Sequence, residues 1–92
     1  MQKKLPGNCP SCESPLAVSR LSCSNCETEI SGNYSLPILL QLSADDQDFI
    51  FEFIRSSGSL KQMASKTGKS YPTVRNKLDD IIERINQLKK AQ

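Results

Sequence analysis

Ser59-Leu-Lys-Gln-Met-Ala-Ser-Lys-Thr-Gly-Lys-Ser-Tyr-Pro-Thr-Val-Arg-Asn-Lys-Leu78 decides the fold of the second half of this chain. Ser59 with Gln62 three residues on makes a capping box, and Leu60, Met63 and Ala64 give the short helix behind it a buried face. Thr67-Gly68-Lys69 closes that helix, because Gly68 can take the left-handed conformation that ends helices. Ser70 then caps a new helix, with Pro72 in the first turn, where its missing N–H costs little. Val74 and Leu78 lie one helical turn apart and face inward, leaving Tyr71, Arg75, Asn76 and Lys77 outside. A short helix, a turn with glycine and a further helix make a helix-turn-helix, in which the small Ala64 lets the two helices cross closely.

Upstream, Ser43 with Asp46 fits a second capping box, and the acidic first turn suits the helix dipole of a helix running to about Arg55. Phe49, Ile50, Phe53 and Ile54 fall on one face at helical spacing and are expected as core, and Ser56-Ser57-Gly58 breaks the helix. Downstream, Leu78, Ile81, Ile82, Ile85 and Leu88 continue one apolar stripe. Two readings of it stand: packing within the chain, or a short homodimer seam through Ile81, Ile85 and Leu88. Lys89 and Lys90 suit a helix carboxy-terminus.

Charge is informative by its distribution. Twelve Lys and Arg against ten Asp and Glu leave a net charge of +2 over 92 residues, a weak argument for nucleic acid. From Asp45 to Glu52, however, every charge is acidic, and between Ser57 and Leu78 every charge is basic. The expected partner of that basic run is double-stranded DNA, with the third helix in the major groove. Arg75 is matched to guanine, Asn76 to adenine and Tyr71 to a base or a phosphate. Lys61, Ser70, Thr73 and Lys77 are placed on phosphates, and Lys69 adds a cation beside the helix start. The competing reading of each charge is a solvated helix face. Single-stranded RNA fits less well, since the aromatic stacking platform is absent.

All four cysteines fall in the first third, as Cys9-Pro-Ser-Cys12 and Cys23-Ser-Asn-Cys26 with ten residues between the pairs. Two such turns make one tetrahedral four-thiolate site, and zinc suits a closed structural site of this kind. Pro15 to Leu21 and Thr28 to Tyr34 have strand-like content, with Ile30 and Tyr34 expected on one face. A unit so poor in apolar residues needs the metal, whose binding contributes roughly 10 to 16 kcal/mol of apparent free energy. A disulfide framework, a redox-active C-x-x-C pair and a mononuclear iron site are the alternatives. The start Met-Gln-Lys-Lys-Leu-Pro-Gly carries no apolar run, and no stretch approaches membrane-spanning length. The expected location is therefore cytoplasmic, where paired cysteines favour metal over disulfides. The chain has no histidine, and no nucleophile and base pair or phosphate-cradling glycine loop is evident, so an enzyme is not expected.

The stretch Gly68-Lys-Ser, then Thr73-Val-Arg-Asn76 and Leu78, resembles the recognition end of response-regulator (LuxR-type) and sigma-factor region 4 domains over about twenty residues. Lys69 departs from that pattern, in which an apolar residue is common. In order, Lys4-Leu-Pro-Gly-Asn-Cys9-Pro-Ser-Cys12, Cys23-Ser-Asn-Cys26, Leu42-Ser43, Phe49, Gly58-Ser-Leu60-Lys61 and Ser70-Tyr-Pro-Thr-Val-Arg75 resemble domain of unknown function family 2089 along nearly the whole chain. That resemblance implies an amino-terminal zinc ribbon and a sigma-region-4-like helical domain, without an activity to carry over.

The expectation is thus an α+β protein: a zinc ribbon of short antiparallel strands over residues 1–35, an apolar join over 36–42, and an all-α helix-turn-helix domain of about three helices over 43–92. One structural Zn2+ is held by Cys9, Cys12, Cys23 and Cys26. The leading function is a DNA-binding transcriptional regulator. The alternative is an adaptor that docks on RNA polymerase or other transcription or translation machinery through the ribbon.

Overall fold

The computed structural model describes residues 5–91; residues 1–4, which belong to the stretch read above as lacking a secretory signal, and Gln92 lie outside the described residues. The chain divides into two compact units between Gln41 and Leu42.

The first unit is built on an antiparallel hairpin of β1 (Ala17–Ser22) and β2 (Glu29–Ser35). Val18 lies opposite Tyr34 and Leu21 opposite Ile30, but β2 uses one residue more than β1 between these pairs, so it carries a bulge near Gly32 and Asn33. The bulge inverts the alternation of side chains along β2. Ile30 and Tyr34 therefore lie on opposite faces, not on one face as strict alternation predicts. The Tyr34 ring lies over Gly32, where an added Cβ would come within 2.9 Å of it. Arg20 and Glu29 form a diagonal cross-strand ion pair. No strand residue is buried, and Leu21, Ile30 and Tyr34 are each about half exposed. Behind β2 the apolar join makes one helical turn, α1 (Ile38–Gln41), in which the Gln41 amide donates to the Leu36 carbonyl at 2.8 Å.

The second unit holds α2 (Ala44–Arg55), α3 (Leu60–Thr67) and α4 (Tyr71–Lys90). Each starts at a serine cap: Ser43, Ser59 and Ser70 accept from the N–H of Asp46, Gln62 and Thr73 at 3.1, 3.2 and 3.3 Å. Ser57 and Gly58, at φ 55° and 79°, turn the chain out of α2, and Gly58 N–H closes the turn on the Phe53 carbonyl at 2.9 Å. Gly68, at φ 70°, ends α3 in the left-handed conformation.

Leu60, Met63 and Val74 form the core of this unit, flanked by Phe49, Phe53, Ala64 and Leu78. Ile54 is not part of it. The stripe that α2 buries runs through Phe49 and Phe53, and Ile54, about 100° further round the helix, falls beyond its edge and is 69% exposed. Phe51 is also exposed, with the Arg55 guanidinium 5.7 Å from its ring centre. In α4, Ile81 is 2% exposed. Its side chain is used up within the chain and has no surface to offer a dimer seam, which corrects that part of the homodimer expectation. Ile85 and Leu88 are half-buried and Ile82 is exposed.

Candidate functional site

The two cysteine turns have the same local structure. In the first, Cys9 N–H donates to the Ser14 carbonyl and Glu13 N–H to the Cys9 carbonyl, both at 2.8 Å, while Ser11 N–H points at Cys9 Sγ at 3.4 Å. In the second, Cys23 N–H donates to the Thr28 carbonyl at 2.8 Å, Glu27 N–H to the Cys23 carbonyl at 2.9 Å, and Asn25 N–H points at Cys23 Sγ at 3.4 Å. Glu13 and Glu27 close the two turns at φ 63° and 62°. Behind each second cysteine stands a hydroxyl, with Thr28 Oγ1 3.0 Å from Cys26 Sγ. Hydrogen bonding from the Ser14 hydroxyl, then from Ser14 N–H and the Cys9 thiol, holds Cys12 below the ordinary thiol range. The Thr28 hydroxyl, Thr28 N–H and the Cys23 thiol do the same for Cys26.

Sequence reasoning from the cysteines alone missed Ser14 and Thr28. The signal was present, because Cys-x-x-Cys-Glu-Ser14 recurs as Cys-x-x-Cys-Glu-Thr28. None of the four cysteines is in a disulfide, and they are gathered as Cys9 with Cys12 and Cys23 with Cys26. Among the described residues no three Cys, Asp or Glu side chains converge closely enough to hold one ion. The donor set nevertheless fits zinc. It consists of soft sulfur ligands on two matched turns, with backbone N–H groups aimed at sulfur in a way that favours the thiolate. Cys9, Cys12, Cys23 and Cys26 are the residues that would hold the ion, each pair supplying half of the coordination.

In the helical unit the residues matched to DNA separate into two sets. Lys69, Thr73, Asn76 and Lys77 line a groove of about 460 Å³ between α2 and α4. Lys61, Ser70, Tyr71 and Arg75 do not line it, and all four are exposed. Ser70 and Thr73 are occupied with capping α4, their hydroxyls 2.8 Å apart. Arg75 Nε lies 3.4 Å from the Asp79 carboxylate one turn on, with both side chains about half exposed. Lys77 reaches across to α2, where its Nζ lies 2.7 Å from Asp46 and 2.9 Å from Asp45. Bonding first to Asp46 and then to Asp45 raises the Lys77 pKa above its ordinary value. The Asp46 carboxylate thus serves Lys77 across the groove while its own backbone N–H is held by Ser43. Beyond Asn76, α4 exposes Asp79, Asp80, Glu83 and Arg84, of which Asp80 lines the groove. Among the described residues no helix is long and apolar enough to cross a membrane.

Residues 9–39 match the DUF2089 zinc ribbon, and residues 42–88 match the helix-turn-helix domain described as domain of unknown function DUF2089. No curated protein and no solved structure matches the chain. The helix-turn-helix match alone spans just over half of the residues, so the chain belongs to the DUF2089 family.

Proposed function

We propose that this member of the DUF2089 family is a DNA-binding transcriptional regulator that reads duplex DNA with α4 and keeps its ribbon folded around one structural zinc ion. The observation that carries the reading is the connection between α3 and α4. The left-handed Gly68 and the Ser70 cap start α4 abruptly, so that Tyr71 and Arg75 in its first turns stand exposed, with Lys61 and Lys69 nearby in sequence on α3 and the turn. Arg75 has the fork to pair with O6 and N7 of a guanine, and Asn76 the amide to pair with an adenine. The tie between Arg75 and Asp79 is an exposed pair one turn apart, worth roughly 0.2–0.5 kcal/mol, against about 1–3 kcal/mol for a bidentate guanine contact. It yields on docking.

In the ribbon, Cys9, Cys12, Cys23 and Cys26 would hold the zinc ion, which would supply a structural crosslink between the two cysteine turns and no position for a substrate. Ser11 and Asn25 orient their cysteine sulfurs through N–H groups, and Ser14 and Thr28 hold the second cysteine of each pair. Paired cysteines that serve a metal belong in a reducing cytoplasm, and the role is binding rather than catalysis.

The test is selection of bound sequences from random duplex DNA, followed by a salt titration on the enriched site. A recurring motif whose affinity falls steeply with salt, and falls with Arg75→Ala, supports the reading. Affinity that is flat from low to physiological salt overturns it. A second reading, an adaptor on RNA polymerase or another protein of the transcription machinery, is favoured by the exposed Asp79, Asp80 and Glu83, which repel phosphate in the middle of α4. Zinc-dependent capture of polymerase subunits, together with no duplex binding, would select it.

A further inference from the structure

Ser14 and Thr28 occupy the same place in the two cysteine turns and bond in the same way there. The carbonyl of each accepts from the N–H of the first cysteine of its pair at 2.8 Å, Ser14 from Cys9 and Thr28 from Cys23. The N–H and the hydroxyl of each are directed at the sulfur of the second cysteine, Cys12 or Cys26, with Thr28 Oγ1 3.0 Å from Cys26 Sγ. The carbonyl and N–H bonds belong to the backbone, and many residue types could make them. The bond to sulfur from the side chain needs a hydroxyl, and both turns supply one. Both residues are exposed and neither caps a helix, so water could satisfy either hydroxyl and the fold alone requires none.

We propose that Ser14 and Thr28 are positioning residues for the metal ion: their hydroxyls donate to the sulfurs of Cys12 and Cys26, tighten the hold of those sulfurs on the ion and make them poorer nucleophiles toward electrophiles from solution. The inference rests on the zinc reading above. A sulfur bound to a metal carries no proton, which fixes the hydroxyl as the donor in each bond. A donated hydrogen bond stabilises the charged sulfur, and partners of this kind behind the ligands are worth about 10–100-fold in metal affinity. At exposed positions, where water can replace a lost donor, the lower end of that range applies. Cys9 and Cys23 meet instead the N–H of Ser11 and Asn25, backbone bonds that these side chains do not control.

The experiment uses the full chain loaded with zinc. Thr28→Val removes the hydroxyl and keeps the branched shape, and Ser14→Ala removes the hydroxyl of the first turn with little change of volume. Competition with a chromophoric chelator is expected to show each variant binding zinc about tenfold more weakly than the parent, with the hydroxyl-retaining Thr28→Ser and Ser14→Thr close to it. Iodoacetamide labelling of the loaded protein, resolved by peptide mass, is expected to accelerate about threefold at Cys26 in Thr28→Val and at Cys12 in Ser14→Ala, with the other cysteines at parent rates. A general loosening of the ribbon would not give that pattern, since it would speed the labelling of all four sulfurs. Zinc affinity within about twofold of the parent in both hydroxyl-free variants overturns the inference and leaves the zinc reading in place. So does acceleration spread equally over the four cysteines, or Thr28→Ser and Ser14→Thr binding as weakly as the hydroxyl-free variants. A parent chain that takes up no zinc overturns the zinc reading and the inference together.

Discussion

Replacing Lys77 by methionine separates two tasks that one ammonium cannot perform together: tying α4 to α2, and binding a DNA phosphate. Methionine keeps much of the apolar stem and removes the charge. The ammonium lies 2.7 Å from Asp46, which is 20% exposed, and 2.9 Å from Asp45, which is 85% exposed, with Lys77 itself at 35%. Pairs in water-accessible surroundings contribute about 0.2–1 kcal/mol each, so the sheltered Asp46 pair belongs near the top of that range and the Asp45 pair near the bottom. Lys77→Met should therefore cost about 1 kcal/mol in urea denaturation, and a double-mutant cycle with Asp46→Asn should return most of it as coupling. The pH dependence has a definite sign. Because the folded pKa of Lys77 is raised above 10.5, the contribution is complete below that value and is lost as pH rises through the higher folded value, where parent and variant converge. In duplex binding, Lys77→Met should leave the salt slope nearly unchanged, while Lys61→Met should reduce it by about 0.9 for its one phosphate contact. If Lys77→Met lowers the slope as much as Lys61→Met does, the ammonium leaves Asp45 and Asp46 on binding and this reasoning is wrong.

Other perturbations follow from the same structure. Chelation of zinc should abolish the amide dispersion of residues 5–35 in a heteronuclear spectrum and leave the helical circular dichroism of α2 to α4 nearly intact, since those helices have their own core. Met63→Ala, at a side chain 2% exposed, should destabilise the helical unit by about 2–4 kcal/mol in urea denaturation. Among the described residues the buried Ser56 hydroxyl has no hydrogen-bond partner, so Ser56→Ala should leave stability unchanged or raise it by up to about 1 kcal/mol in the same assay.

The features legible in the sequence are those whose physics is local. Ser43, Ser59 and Ser70 each bond to an N–H three residues on, and Gly68 ends α3 by its own φ, so these boundaries need no knowledge of the tertiary fold. Ile54 was not legible, because a helical apolar stripe has two edges and only the placement of α3 decides which edge is covered. Tyr34 was misassigned through a bulge that shifts the alternation by one residue, although Gly32-Asn33 is a composition that permits one. The commitment of Lys77 to Asp45 is a pairing across 32 residues of sequence, beyond the reach of any local pattern. At the cysteines the knuckle spacing was plain, whereas the role of Ser14 and Thr28 becomes visible only when the two turns are aligned with each other.

The two units hold themselves by different physics, and the difference makes their contributions to binding separable. In the hairpin no side chain is buried, and two strands with a single ladder are marginal in water, so its stability rests on what the cysteine pairs bind. The helical unit has three serine caps and a core of Leu60, Met63 and Val74, none of which involves a thiol. Cys26→Ser should therefore unfold the ribbon while leaving α3 and α4 as they are. A loss of duplex affinity in that variant measures what the ribbon adds to DNA binding, since the helix-turn-helix has not been touched. Unchanged duplex affinity, combined with loss of a protein partner, places the ribbon's work on that partner instead.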